Sequence, residues 1–164
     1  VPPLDADQVD DARAEWARVH PDLDTSAMDV AGRLRLAAAA LARAGEAPVR
    51  AEGLTRPEFD VLSAVRRQRA PLTPTDVAAA TLASGAATTK RLDHLTRTGH
   101  LQRTPDARDG RVSRLSLTEA GTALVDRLLP QVLRAEADFT AALDEGERDA
   151  LAQVLRTLLR ANRV

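Results

Sequence analysis

Apolar residues recur at three- and four-residue intervals through most of the chain, and at two-residue intervals in one short stretch. The first spacing is that of one helix face and the second that of one strand face. A first helix is predicted over Asp7 to Val19, with Val9, Ala12, Trp16 and Val19 on one side, stopped by His20-Pro21 because the residue before proline avoids helical angles. A second runs from about Ser26 to Ala44, with Met28, Ala31, Leu34, Ala38 and Leu41 in line and Gly45 just past its end. Gly45 to Gly53 reads as a loop. Thr55 is a good N-cap for a third helix, with Pro57 and Glu58 in its first turn and Phe59, Leu62 and Val65 facing inward.

Pro71 breaks the chain, and Thr73 then caps a short helix, Pro74 to about Leu82, with Asp76 three residues after the cap and Val77 inward. Ser84 caps the next helix, which reaches Thr98 and stops at Gly99. The period then drops to two. Leu101 to Thr104 and Val112 to Leu117 flank the turn-forming Pro105-Asp106-Ala107-Arg108-Asp109-Gly110, so a β-hairpin with a charged tip is predicted. Thr118 and Glu119 begin a long helix to about Ala142, kinked at Pro130. Asp144 and Glu147 form a capping-box pair for a last helix, Glu145 to about Arg163, striped by Leu151, Leu155 and Leu158. The fold class is mainly α with a small β-hairpin. Two short helices followed by a hairpin make a winged helix-turn-helix of about residues 55–120, between N-terminal helices (1–54) and C-terminal helices (121–164). The outer stripes leave too much apolar surface for a monomer, so the two flanking segments are expected to form the interface of a homodimer.

Composition removes whole classes of function. The 164 residues contain no cysteine, which excludes disulfides, thiolate-bound zinc and a cysteine nucleophile. Aromatics amount to 2%, namely Trp16, Phe59 and Phe139, too few for the stacking platforms that bind single strands. His20, His94 and His100 never stand four apart on one helix, and no nucleophile–base pair, metal-ligand cluster or Gly-rich phosphate loop appears. An enzyme is therefore not expected, nor a cofactor or a metal. No apolar run approaches the roughly 20 residues of a membrane span, and no basic segment followed by an apolar one opens the chain. The expectation is a cytoplasmic protein without a membrane partner.

The net charge of -1 hides a gradient. Residues 1–54 carry 6 Arg against 10 Asp or Glu, residues 55–120 carry 11 Arg or Lys against 7 acids, and residues 121–164 carry 6 against 7. The basic middle coincides with the helix-turn-helix and wing, which suits double-stranded DNA. Within the second helix of that pair, Thr88, Arg91, Leu92 and Leu95 follow one inward stripe. Ala86, Thr89 and Lys90 then face outward as base-edge candidates. Ser84 at the helix N-terminus suits a phosphate. Arg97, Arg108 and Arg111 are phosphate or minor-groove candidates. Arg91 is the odd residue, because an inward guanidinium needs a partner. Asp60, beside the buried Phe59, is the expected one. This pair reads either as a structural salt bridge or as the wall of a polar pocket.

The motifs Leu54-Thr55, Val61-Leu62, Gly99-His100-Leu101-Gln102-Arg103, Asp109-Gly110-Arg111 and Leu117-Thr118-Glu119-Ala120-Gly121 resemble the MarR family of dimeric winged-helix regulators, over roughly Leu54 to Leu159. The usual Asp-Arg-Arg wing has Gly110 at its centre here. The closer resemblance is to the urate-responsive branch, which carries an additional N-terminal helix with a tryptophan, as in Arg13-Ala14-Glu15-Trp16-Ala17-Arg18. That resemblance implies an effector site of Trp16, Asp60, Arg91 and Arg103. The implied function is a homodimeric repressor of a pseudo-palindromic operator, released by urate or a similar anion. A same-family sensor of a tricarboxylate (aconitate, citrate) or a phenolic acid is the alternative. A winged-helix module for protein interaction is a distant third.

Overall fold

The computed structural model describes residues 5–107, 109 and 111–162. Among them are eight helices and one two-stranded sheet, in the order α1 (Gln8–Val19), α2 (Met28–Ala44), α3 (Glu46–Ala51), α4 (Arg56–Arg66), α5 (Pro74–Thr81), α6 (Gly85–Arg97), β1 (Leu101–Pro105), β2 (Ser113–Leu117), α7 (Glu119–Phe139) and α8 (Glu145–Ala161). The mainly helical class with a hairpin is as expected. The contacts divide the chain into two compact units, one up to Arg43 and one from Ala44 onward.

In the first unit, α1 is capped by Asp7, whose carboxylate accepts from the Val9 and Asp10 amides. Arg33 of α2 reaches back to Asp7 (2.8 Å) and Asp10 (2.9 Å), and Arg13 of α1 reaches forward to Asp29. Val9 is the buried residue of α1, and no residue of α2 is buried. The predicted α1 stripe is otherwise open, with Trp16 45% and Val19 66% exposed.

The second unit holds a continuous apolar core. Phe59, Val61, Leu62 and Val65 of α4 meet Val77 of α5, Leu92 and Leu95 of α6, Leu101 and Leu115 of the hairpin, and Leu124, Val125, Leu128 and Val132 of α7. Each such side chain contributes roughly 1.5–3 kcal/mol by leaving water. The strands pair antiparallel from Leu101↔Leu117 to Pro105↔Ser113. Leu72 forms a reciprocal bridge to Leu115 on the other edge of β2, with hydrogen bonds of 3.1 and 2.7 Å. This bridge ties the entry of α5 to the base of the hairpin.

One expectation needs correction. Residues 46–51 form α3 rather than a loop. Pro48 lies in its first turn, where a missing N–H costs nothing, and Val49 is fully buried against the core. Tertiary burial thus secures a helix too short to announce itself by period. The long helix α7 runs through Pro130 without interruption and ends at Phe139.

The Leu-Thr-x-x-Gly motif has a direct physical explanation. The Thr118 hydroxyl accepts from the Gly121 amide at 3.0 Å and donates to the Gly99 carbonyl at 2.7 Å. The Thr118 amide donates to His100 O at 3.1 Å. These bonds press α7 onto the start of β1 so closely that a Cβ at position 121 would lie 2.0 Å from the His100 carbonyl oxygen. Only glycine fits there.

Candidate functional site

Helix α5, a short turn and α6 form the helix-turn-helix. Thr73 and Asp76 make a reciprocal capping box at the start of α5. The helix is closed by Leu82 in the left-handed region (φ 52°, ψ 31°), the sole non-glycine residue of that kind among those described. Ser84 then caps α6, its hydroxyl accepting from the Ala87 amide at 3.4 Å.

Helix α6 has two unlike sides. Thr88, Leu92 and Leu95 are buried, and the Thr88 hydroxyl is satisfied by Ser84 O at 3.0 Å. Ser84, Ala86, Thr89, Lys90 and Arg97 are exposed. Thr89 turns its hydroxyl hydrogen to Gly85 O, which leaves its methyl and remaining lone pair outward. Gly85 and Ala86 keep the first turn low, so that a groove floor can approach the backbone. Neither Lys90 nor Arg97 has an ion pair among the described residues. Their charges are therefore not spent on any described residue.

The hairpin is organised at its base and charged at its tip. Asp106 accepts from Arg114 Nε at 2.5 Å and from the Asp109 amide at 3.1 Å. Its own amide donates to Val112 O. Arg114 is thus committed internally, whereas Arg111 is exposed and its guanidinium has no ion pair among the described residues. Arg108 and Gly110 lie outside the described residues.

The four effector candidates are distributed as follows. Trp16 belongs to the first unit, where its ring stacks on His20 (centroids 5.7 Å apart, planes 25°) beside a hollow lined by Val19, Pro21 and Leu23. In the second unit, Asp60 does not pair with Arg91. Its Oδ1 accepts from Arg56 Nε at 3.0 Å, one turn earlier on α4. The reason is local: positions four apart on a helix share a face. Arg91 is partly exposed and has no ion pair among the described residues. Arg103 donates to Asp93 of α6 at 2.7 Å, tying the start of the hairpin to the middle of that helix. Asp60 also lines a cleft of roughly 240 Å³ between α4 and the end of α5, with Ser63, Arg67, Thr81 and Leu82. No hydrogen bond or ion pair links Asp60, Arg91 and Arg103 to one another.

Two further polar contacts were not foreseen. Glu58, with a side chain only 10% exposed, accepts from the Thr55 amide and hydroxyl through Oε2 (both 2.8 Å) and meets His94 Nδ1 through Oε1 at 2.5 Å. One carboxylate thus caps α4 and holds α6. Burial pushes its pKa up, but the Thr55 donors and His94 outweigh burial and hold it below the usual carboxylate range. Arg56, besides holding Asp60, donates to Glu136 of α7 at 2.7 Å. Burial disfavours its charge, and the two carboxylates more than restore it, so its pKa is raised. The capping role of Glu58 was legible as Thr-x-x-Glu. Its reach to His94 was not, because the partners are 36 residues apart.

A model of the MarR family matches residues 52–112. The chain is 31% identical over 150 residues to the HTH-type transcriptional regulator PecS of Dickeya dadantii (strain 3937), a match spanning 90% of each protein. Among solved structures it is similar to Bordetella bronchiseptica BpsR, whose DNA binding is regulated by 6-hydroxynicotinic acid. That likeness has 28% identity and a TM-score of 0.73, and covers 79% of this chain and 98% of the other. It shares its fold with a mutant E. coli MarR complexed with operator DNA (21% identity, TM-score 0.74, 88% and 97% covered). The same holds for the S. aureus MepR–DNA complex (21% identity, TM-score 0.75, 80% and 97% covered).

Proposed function

Because the chain belongs to the MarR family, and so is a DNA-binding transcriptional regulator rather than an enzyme, we propose that it acts in the cytoplasm as a homodimeric repressor, released from a pseudo-palindromic operator by a small organic anion, urate first among them. The observation that carries the DNA-binding part is the two-sidedness of α6. A buried stripe fixes the helix while the small outward residues, Thr89 and two uncommitted cations face solvent. Ala86, Thr89 and Lys90 read base edges, Ser84 and Arg97 contact phosphates, and Arg111 with Arg108 lies along the backbone or in the minor groove. The homodimer is supported by α2 and α8, neither of which has a buried residue although both carry apolar stripes. A two-fold axis sets the recognition helices about 34–36 Å apart, matching successive major grooves.

The effector part rests on Trp16, Asp60, Arg91 and Arg103, taken from the resemblance to the urate-responsive branch. Urate is a flat anion at neutral pH with hydrogen-bonding edges. Arg91 has no ion pair among the described residues, and Arg103, which now donates to Asp93, supplies a second guanidinium for the anion. Asp60 is repelled by an incoming anion. These are contacts that differ between bound and released states, as any effector requires. Moving the population from mostly bound to mostly free takes about 5.5 kcal/mol of differential affinity. A second reading, an aromatic acid of the hydroxynicotinate type, is supported by the likeness to BpsR.

The test is operator binding followed by fluorescence anisotropy on DNA flanking the gene, titrated with urate, 6-hydroxynicotinate, citrate and salicylate. Release by urate together with a change in Trp16 emission is the expected result. Release by another anion alone reassigns the effector. No specific binding to flanking DNA would remove that DNA as the operator.

A further inference from the structure

We infer that Arg56 is the positioning residue through which an anion arriving at Asp60 is felt by helix α7. The inference rests on the effector reading above for the identity of the anion, and on geometry for the route. The Arg56 guanidinium gives Nε to Asp60 on its own helix (3.0 Å) and Nη2 to Glu136 on α7 (2.7 Å). Its side chain is 22% exposed, against 43% for Asp60 and 31% for Glu136, so Asp60 is the open end of the trio. The remaining nitrogen, Nη1, is packed against Gly45, where a Cβ would lie only 2.0 Å away. A planar fork held on three sides keeps its orientation, which an ammonium on a flexible stem does not.

The trio carries one cation and two anions. A further anion beside Asp60 raises the repulsion on that carboxylate and competes for the same guanidinium. When Asp60 leaves, Arg56 is free to turn its fork fully toward Glu136, and the first turn of α4 shifts on α7. The same turn carries Glu58, whose Oε1 holds His94 of the DNA-reading helix. The start of α4 therefore joins the effector-site candidate Asp60 to α7 through Arg56, and to α6 through Glu58.

The experiment uses the full chain, its operator and urate, and it includes a ligand-free arm. Arg56→Lys keeps the cation and loses the fork, and Glu136→Gln removes the α7 end. Both variants are expected to bind urate within about twofold of wild type by calorimetry, and operator without urate within about threefold. The factor by which urate weakens operator binding is expected to fall about tenfold in each, and no further in the double variant. Arg66→Lys, which alters a different arginine–carboxylate pair (with Asp126), should keep the wild-type factor. In the ligand-free arm, Asp60→Ala should weaken operator binding about fivefold in the wild-type background and have no effect in the Glu136→Gln background. An unchanged urate factor in Arg56→Lys and Glu136→Gln overturns the relay, as does an Asp60→Ala effect that is the same in both backgrounds. If wild type ignores urate while the Asp60–Glu136 dependence holds, the effector assignment fails and the relay stands.

Discussion

Helices α6 and α8 have nearly the same apolar spacing and opposite fates. Leu92 and Leu95 of α6 are 1% and 0% exposed. Leu151, Val154, Leu158 and Leu159 of α8 are 44%, 55%, 37% and 48% exposed. Both are capped well, α6 by Ser84 and α8 by the Asp144–Glu147 box, so neither owes its existence to burial alone. The difference is that α6 meets α4, α5 and β1 within its own chain, while α8 has no buried residue. An apolar stripe states that a helix must be covered. It does not state by whom. On α6 the free side is the polar one, which the proposed function assigns to DNA. On α8 the free side is the apolar one, which it assigns to a second copy.

The largest effect should come from charging α8. Leu151→Glu with Leu158→Glu buries unpaired carboxylates in the proposed dimer interface, a cost of about 3–5 kcal/mol. Sedimentation should show monomers at micromolar concentration, far-UV circular dichroism should be unchanged, and operator affinity should fall by roughly a hundredfold or more. Dimers that persist would mean that α8 is not the covered surface. The same contrast predicts that Leu92→Ala, a deletion in a full core, costs about 2–5 kcal/mol in urea unfolding. Leu158→Ala in monomer-forming background should cost little. Equal losses at the two sites would erase the distinction drawn between the helices.

A smaller effect separates the two free sides of the DNA-reading lobe. Arg111→Ala should weaken operator and random DNA alike and reduce the salt slope by about 1. Lys90→Ala should also change which base is preferred at its position, by about 1–3 kcal/mol of discrimination. If both variants lose specific and nonspecific binding in equal proportion, Lys90 is a phosphate contact and base reading falls to Thr89 and Ala86.

The smallest effect is present at neutral pH and vanishes in acid. Glu58 is held below its ordinary pKa when folded, so it stabilises the fold above the unfolded value, about 4.3, and that contribution disappears as pH falls through the lower folded value. Glu58→Gln should therefore unfold more easily than wild type at neutral pH, with the difference closing below about pH 4. Thermal melts across that range check it. A difference that widens in acid would mean that the His94 contact depends on a neutral carboxyl.

The local features of this protein were all within reach of its sequence. Thr55, Thr73, Ser84, Thr118 and Asp144 cap the helices they were expected to cap, because a cap is settled by four or five consecutive residues. The hairpin itself, and the inward placing of Thr88, Leu92 and Leu95 on α6 though not of Arg91, followed from period alone. Other features depended on which distant residues meet. Helix α3 exists because Val49 finds the core, and its six residues are too few to show a period. Glu58 rather than Asp60 holds α6, through His94, 36 residues away. The Asp60–Arg56 pair, by contrast, is local, four residues apart on one helix, and was within reach of the same spacing argument that looked to Arg91 instead. Spacing along a helix gives the face a side chain leaves from. Which of several oppositely charged groups stands there is set by how the helices cross, and that is a property of the packed core.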